Sequence, residues 1–325
     1  MIYFSSSSSD HDIPPAVETP KLDPAPGRPS SVSSEPSSVK SIEMPFIMPA
    51  IPGDVNEEDL VSGNYDVEFD NGWRKSVSLS ALQRSGRIDK ATIDKYLDGD
   101  ITKDALDEIL KPSLHGEEPL AGIVMIDTGE KKSIFKAAKE GYIKRPTAIA
   151  LLEAQAATGN IIDPLTGRKM SVNEAAEMNF IDKVYEQCLL RAERAVHGYK
   201  TRLSDEKLST FEAMERGLVV EESAIKMLEA QLATGGIIDV RENHRIPIDW
   251  ALKRNLINER IYRVLKLKND EKMKMFEDPN NDEKIHYDDL MAKCIVDHDT
   301  GLRLLPFNKP SKGVLSQVGF QIYTL

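Results

Sequence analysis

The side chains able to do acid–base, nucleophilic or metal chemistry are scattered along this sequence instead of forming a catalytic motif. The chain contains no G-x-S-x-G nucleophile elbow, no phosphate-binding or dinucleotide-binding glycine pattern and no H-E-x-x-H zinc motif. Glu221 and Glu222 are paired acids, but they fall in the first turn of a predicted helix, where the helix dipole favours them. Cys188 and Cys294 match no zinc or disulfide spacing, and we expect buried thiols. We therefore expect no enzyme activity, cofactor, metal site or small-molecule substrate.

The charge of the chain is unevenly distributed. The formal net charge is -11, and residues 1–130 hold 11 basic and 24 acidic side chains, whereas the remainder holds 31 and 29. The acidic total argues against a nucleic-acid partner, but the near-neutral remainder allows a local basic surface. The strongest local excess lies between Ile237 and Lys268, where eight basic side chains accompany four acidic ones.

Three further residues have side chains that often contact ligands. His244 stands beside Arg245 at a predicted hairpin turn, so we expect it to be an exposed polar residue. Trp250 is expected to bury its ring between repeats. Trp73 is interpreted either as a partner contact or as a cap on the first hairpin.

An internal repeat provides the elements that must position these side chains. The stretch AQAATGNIID at 154–163 returns as AQLATGGIID at 230–239, 76 residues later. Half of that interval is 38 residues, and Gly or Asn recurs at this spacing from Gly141 through Asn179, Gly217 and Asn255. Gly86 occupies the same phase in the first copy. These residues predict left-handed helix ends, because Gly and Asn adopt that conformation most easily.

The repeating unit reads as a short hairpin followed by two helices. Ser171 with Glu174, and Ser209 with Glu212, form capping boxes that predict the start of a first helix. The first copy carries an insertion in which residues 101–110 are a helix candidate. The last copy is partial, and its 301–306 segment reads as a terminal cap. A repeat of this kind buries its apolar face only by stacking on its neighbours.

The regions outside the repeats differ in composition. Residues 1–52 are rich in Ser and Pro and are predicted to be a disordered linker. The apolar runs are too short for a membrane-spanning helix, and the first nine residues do not form a signal peptide. We therefore expect an intracellular protein.

The 38-residue unit, the LLEAQ-x-ATG type of helix end and the stretch Gly235–Lys253 resemble the plakin repeat of the plakin family. Phe276–Asn280 and Asp299–Pro306 resemble the end of such a module. The resemblance implies an α+β array of about four and a half to five stacked copies at 53–310, followed by a tail at 311–325. Copies 1 to 5 are predicted near 65–116, 121–159, 160–198, 199–236 and 237–275, with a partial copy 6 at 276–310.

The resemblance also implies a function. Plakin repeat modules offer a basic groove to the acidic rods of intermediate filament proteins, which implies a cytoskeletal linker in the cytoplasm at cell junctions. The alternative is a scaffold that binds a junctional or membrane-complex partner without filament contact. The basic residues assigned to the groove are Arg168, Lys169, Lys200, Arg202, Arg241, Arg245, Lys253 and Arg254.

Overall fold

The computed structural model describes residues 67–70, 76–201, 206–268 and 273–308. The predicted disordered linker, the C-terminal tail, Trp73 and Arg202 lie outside these residues. Within them the chain forms twelve helices and twelve short strands, which confirms the predicted mixture of helix and strand.

Short antiparallel hairpins alternate with helix pairs along the chain. Copy 1 contains β1 (Glu68–Asp70), β2 (Ser76–Ser78), α1 (Leu79–Arg84), α2 (Lys90–Leu97) and the inserted α3 (Lys103–His115). Copy 2 contains β3 (Gly122–Met125), β4 (Lys131–Ser133), α4 (Ile134–Lys139) and α5 (Arg145–Thr158). Copy 3 contains β5 (Ile161–Ile162), β6 (Lys169–Met170), α6 (Val172–Glu177) and α7 (Lys183–His197).

The later copies differ from one another in their hairpins and second helices. Copy 4 has a single bridge between Tyr199 and Leu208, followed by α8 (Thr210–Glu215) and α9 (Glu221–Ala233). Copy 5 contains β7 (Ile237–Asp239), β8 (His244–Ile246), α10 (Ile248–Lys253) and α11 (Glu259–Leu267). Copy 6 contains β9 (Phe276–Glu277), β10 (Lys284–Ile285), α12 (Tyr287–Ala292), β11 (Ile295–Val296) and β12 (Arg303–Phe307).

The ends of the first helices follow the local sequence signals. All five predicted left-handed residues have positive φ: 67° at Gly86, 81° at Gly141, 55° at Asn179, 69° at Gly217 and 56° at Asn255. Both predicted capping boxes are also present, at Ser171 and at Ser209. These predictions are confirmed. They could be made from the sequence because each feature depends on only a few consecutive residues.

The repeated glutamine of the AQ-x-ATG stretch joins neighbouring copies. Gln231 donates from Nε2 to the carbonyl oxygens of Ala157 and Ala195 and accepts from the backbone N–H of Ile238. Gln155 makes the equivalent bonds to Leu120 and Ile162. A buried amide satisfied at both ends fixes the register of strand against helix.

The two ends of the array fold back onto its middle. Strand β12 pairs in parallel with β3, so the C-terminal hairpin joins the hairpin of copy 2 in one four-stranded sheet of order β11-β12-β3-β4. Copy 1 has its own apolar cluster, built around Phe69, Leu82 and Leu110, beside the main core. It contacts copy 5 where Arg84 pairs with Glu242 at 3.0 Å.

The second helices form a stack. Helix α5 lies between α7 and α9, and α9 contacts α12 and α11 in turn. The main apolar core runs along this stack and includes Leu151, Leu189 and Leu228, one from each of three helices. The faces of these helices that pack against a neighbour in the stack are buried, and the remaining faces are exposed to solvent.

Candidate functional site

The basic residues predicted to border one groove in copy 5 are mostly neutralised inside the protein. Arg241 pairs with Glu212 at 2.7 Å and with Glu206 at 3.0 Å. Its hydrogen bond to Glu212 raises the pKa of the guanidinium. Arg254 pairs with Asp239 at 3.3 Å. Arg241 and Arg254 would therefore have to break these ion pairs before they could bind an acidic segment of a filament.

Lys253, the fourth residue of the predicted set in copy 5, is exposed. Its ammonium lies 5.1 Å from the ring centroid of Trp250, a cation–π distance. Trp250 is partly buried and packs against the main core. Its ring also lies against Gly86 of copy 1, so it is placed between copies as predicted.

Arg245 does not belong to a surface groove, and its assignment there is wrong. Its side chain is fully buried and donates to the carbonyl oxygen of Thr158 at 3.0 Å, to that of Gln231 at 3.3 Å and to Thr234 Oγ1 at 3.0 Å. Thr158 is the last residue of α5, and Gln231 lies in the last turn of α9. The guanidinium therefore caps the negative ends of two helices.

Burial dominates the electrostatics around Arg245. It lowers the pKa of Arg245 to about 9, and repulsion from Arg87 acts in the same direction. Arg87 donates to the carbonyl oxygens of Arg245 and Gly235 at 2.8 and 2.7 Å, and burial lowers its pKa to about 10. Both residues remain cations at neutral pH. Together they join copy 1 to copy 5.

The prediction that His244 is exposed is also wrong. The side chain is buried, and its Nδ1 lies 3.1 Å from the carbonyl oxygen of Glu242. Burial lowers the pKa of His244 to about 4, so the ring is neutral at physiological pH. The hairpin of copy 5 is thus enclosed by copy 1, and its turn sequence alone did not reveal this.

The predicted basic residues of copies 3 and 4 are more available. Arg168 and Lys200 are exposed, and within the described residues neither takes part in an ion pair. Lys169 is also exposed but pairs with Glu118. Arg168 and Lys169 lie in the hairpin of copy 3, and Lys200 follows helix α7. The predicted basic residues that the structure describes therefore lie in two places. One place is copy 3 and the residues directly after it, and the other is copy 5.

Two basic residues of helix α7 were missed by the sequence reading. Arg191 and Arg194 are exposed, and in the described part of the chain neither forms an ion pair. Burial raises the pKa of Glu153 in α5, and the charges of Lys226 and Arg191 partly oppose that rise. A comparison of copies at 38-residue spacing would have found the two arginines, because Arg191 stands where copies 2 and 4 have Glu153 and Glu229.

Other chemical sites are sparse in the described ranges. No group of three or more His, Cys, Asp or Glu side chains there is arranged to hold a metal ion. A cavity of about 30 Å³ lies beside Arg245, Lys169 and Glu118, a volume that fits about one water molecule. Cys188 and Cys294 are partly rather than fully buried, and burial raises the pKa of both thiols.

A further buried polar contact joins copies 4 and 6. Glu229 of α9 accepts from the backbone N–H of Tyr287 at 2.7 Å and lies 3.0 Å from His286 Nδ1. Burial raises the pKa of Glu229. The carboxyl group therefore caps helix α12 from a neighbouring copy, which is a structural use of an acid at this repeat position.

Comparison with known proteins bears on this arrangement. The sequence model of the Plectin repeat family matches residues 151–189 and 227–265. Epiplakin of Mus musculus is 44% identical over 96 residues, and Desmoplakin-A and Desmoplakin-B of Danio rerio are 38% and 36% identical over 94 and 95 residues. Each match covers 29% of this chain but only 2%, 5% and 4% of the respective relative.

The fold is a repeat module of mixed helices and strands. The matched segments span α5 to α7 and α9 to α11, the same helices that carry the repeated stretch. Residues 151–189 and 227–265 are therefore Plectin repeats, which confirms the resemblance to the plakin repeat that the sequence indicated. In the described residues, no helix is long and apolar enough to cross a membrane.

Proposed function

We propose that this chain is the filament-binding part of a cytoskeletal linker. It forms a plakin repeat module of about four and a half to five copies between residues 53 and 310. The module docks acidic rod segments of intermediate filament proteins and anchors them at cell junctions. The similarity to epiplakin and desmoplakin supports this class of function. The exposed cations support an acidic partner, because opposite charges attract.

The observation that carries the proposal is the exposure of two cations, one in the hairpin of copy 3 and one at the start of copy 4. Arg168 and Lys200 have no ion-pair partner among the described residues, whereas Arg241 and Arg254 are already paired. An exposed cation without an internal partner gains more from an acidic partner than one that must first break an ion pair. The contribution of copy 5 is therefore secondary to that of copy 3.

Cosedimentation with assembled intermediate filaments tests the proposal. The chain should pellet with keratin or vimentin filaments at 50 mM salt and less at 500 mM, because salt screens exposed charges. The variant Arg168→Glu/Lys200→Glu should pellet less than the parent. Arg216→Glu/Arg263→Glu is the matched control, because it makes the same charge change at two exposed arginines that already pair with Glu206 and Glu259. A chain that binds neither filament type at low salt would instead be a scaffold for another junctional partner.

A further inference from the structure

Helix α7 occupies the end of the stack of second helices. It packs against α5 and α6, Phe135 of α4 contacts its Tyr185, and Gln231 of α9 donates to the carbonyl oxygen of its Ala195. Its C-terminal Val196 joins Ile238 of β7 and Val240, which follows that strand. Helix α5, by contrast, has helices on both sides, and α9 is covered by α5, α11 and α12. Within the described residues, α7 therefore has a lateral face that no other helix covers.

The residues on this face follow a helix-packing spacing. Val184, Gln187, Arg191 and Arg194 are all exposed, and they are separated by three, four and three residues. That spacing places them in one seam along the helix, as at the contact positions of a coiled coil. Val184 is 67% exposed. The seam thus offers an apolar contact near one end and two cations near the other.

The seam is specific to copy 3. Arg191 aligns with Glu153 of copy 2 and Glu229 of copy 4, and both of these acids face neighbouring elements of the module. Arg194 aligns with Ala156, which is buried. The copies whose second helices are covered on both sides have an acid and an apolar residue at these positions. The copy at the end of the stack has two arginines.

The acids near the seam do not neutralise it. Glu193 of α7 turns inward and accepts from the backbone N–H of Val172 at 2.9 Å. Glu186 is partly buried, and Glu153 forms no ion pair with Arg191 in the described structure. The arginines therefore present their charge to solvent.

We infer that the seam of α7 is a docking surface for an acidic α-helix, which extends the stack by one helix. This inference rests on the proposed function and names the place and the form of the contact. The helix has 15 residues, so a partner helix of about the same length would lie along it over roughly 22 Å. Its acidic side chains would meet Arg191 and Arg194, and its apolar residues would meet Val184. A second copy of α7 fits poorly, because two cationic seams repel each other.

The direct test uses a fluorescently labelled synthetic acidic coiled coil as the probe. Binding to the full chain is measured by anisotropy at low salt, with a matched coiled coil in which Gln replaces the exposed Glu residues. Arg191→Gln/Arg194→Gln removes both charges without placing an acid beside Glu153. It should bind the acidic probe about tenfold more weakly. The control Arg216→Gln/Arg263→Gln makes the same charge change at two exposed arginines elsewhere and should bind like the parent.

Hydrogen exchange locates the contact independently. The acidic probe should slow exchange in residues 183–197 of the parent and leave it unchanged in the Arg191→Gln/Arg194→Gln variant. Protection elsewhere, equal binding by that variant, or tight binding of the uncharged probe would overturn the inference. Binding of anionic lipid vesicles without binding of the acidic helix would overturn it as well, since a lipid surface needs no helical seam.

Filament cosedimentation separates this inference from the proposed function. If the parent binds the acidic helix through α7 but does not pellet with filaments, the seam is correct and the filament role is wrong. If the parent and the Arg191→Gln/Arg194→Gln variant pellet equally and also bind the acidic probe equally, the filament role stands and the seam is wrong. Binding of neither probe nor filament contradicts both.

Discussion

Gly86 and Gly217 end equivalent first helices and provide a matched test of the contact between copies 1 and 5. Their φ angles are nearly equal, +67° and +69°. A Cβ built on Gly217 meets nothing within 4 Å, whereas one built on Gly86 overlaps the ring of Trp250. Alanine at the two positions therefore has the same conformational cost but a different steric cost.

The magnitudes follow from these two costs. Gly217→Ala should destabilise the fold by about 1–2 kcal/mol, the cost of a left-handed conformation in a residue with a Cβ. Gly86→Ala should add about 1–3 kcal/mol, because the Trp250 ring must move within a packed contact. Replacing Trp250 by Leu should remove most of this additional cost and leave the conformational part.

Urea unfolding followed by far-UV circular dichroism measures these free energies. The four proteins of a double-mutant cycle, parent, Gly86→Ala, Trp250→Leu and the double variant, isolate the contact between the two side chains. Hydrogen exchange around Arg84 distinguishes undocking of copy 1 from global unfolding. Equal destabilisation by Gly86→Ala and Gly217→Ala, within about 0.5 kcal/mol, would refute the proposed packing.

Three further predictions concern buried side chains and helix caps. Arg245→Met should cost about 3 kcal/mol in thermal unfolding, because buried carbonyl oxygens lose their donor, while Arg263→Met at an exposed site should cost less than about 0.5 kcal/mol. His244 has its folded pKa lowered from 6.5 to about 4, so the unfolded chain takes up a proton that the folded chain does not as the pH falls through that window. The parent should therefore lose about 2–3 kcal/mol more than His244→Gln between pH 7 and pH 4.5 in urea titrations, and parallel curves would contradict the burial of His244. Ser209→Ala and Ser171→Ala should each cost about 1 kcal/mol of unfolding free energy through loss of a capping box, and no change at either site would disprove that cap.

The parts of the fold that the sequence predicts are those with local causes. A capping box is settled by four residues, and a left-handed helix end by one residue and its neighbours. Ser209 and Asn255 are examples, and both lie where the spacing predicted. The inserted helix was also predicted, although it begins at Lys103 and extends to His115 instead of ending at Leu110.

The burial of Arg245 and His244 depends on residues far away in the chain. Arg245 is covered by the ends of α5 and α9, and Arg87 lies 158 residues before it. A polar pair near a turn predicts exposure when only the local sequence is considered. One signal was available: Lys131, Lys169 and Lys207 precede Arg245 at 38-residue intervals, so the hairpins of copies 2 to 5 each have a cation at this position. Which of them is buried depends on the neighbouring copy.

The closure of the array leaves the outer face of helix α7 in copy 3 without a neighbour among the described residues. Copy 1 covers the hairpin of copy 5, and β12 of copy 6 covers the hairpin of copy 2. Helix α12 of the same copy 6 covers α9 through Glu229 and Tyr287. Copies 1 and 6, the two ends of the array, thus cover parts of copies 2, 4 and 5. In the described residues, no helix or strand of copy 1 or copy 6 covers the outer face of α7. Arg191 and Arg194 therefore lie on the face of α7 that no other part of the described module covers. Because both are cations, a molecule that binds this face must carry negative charge.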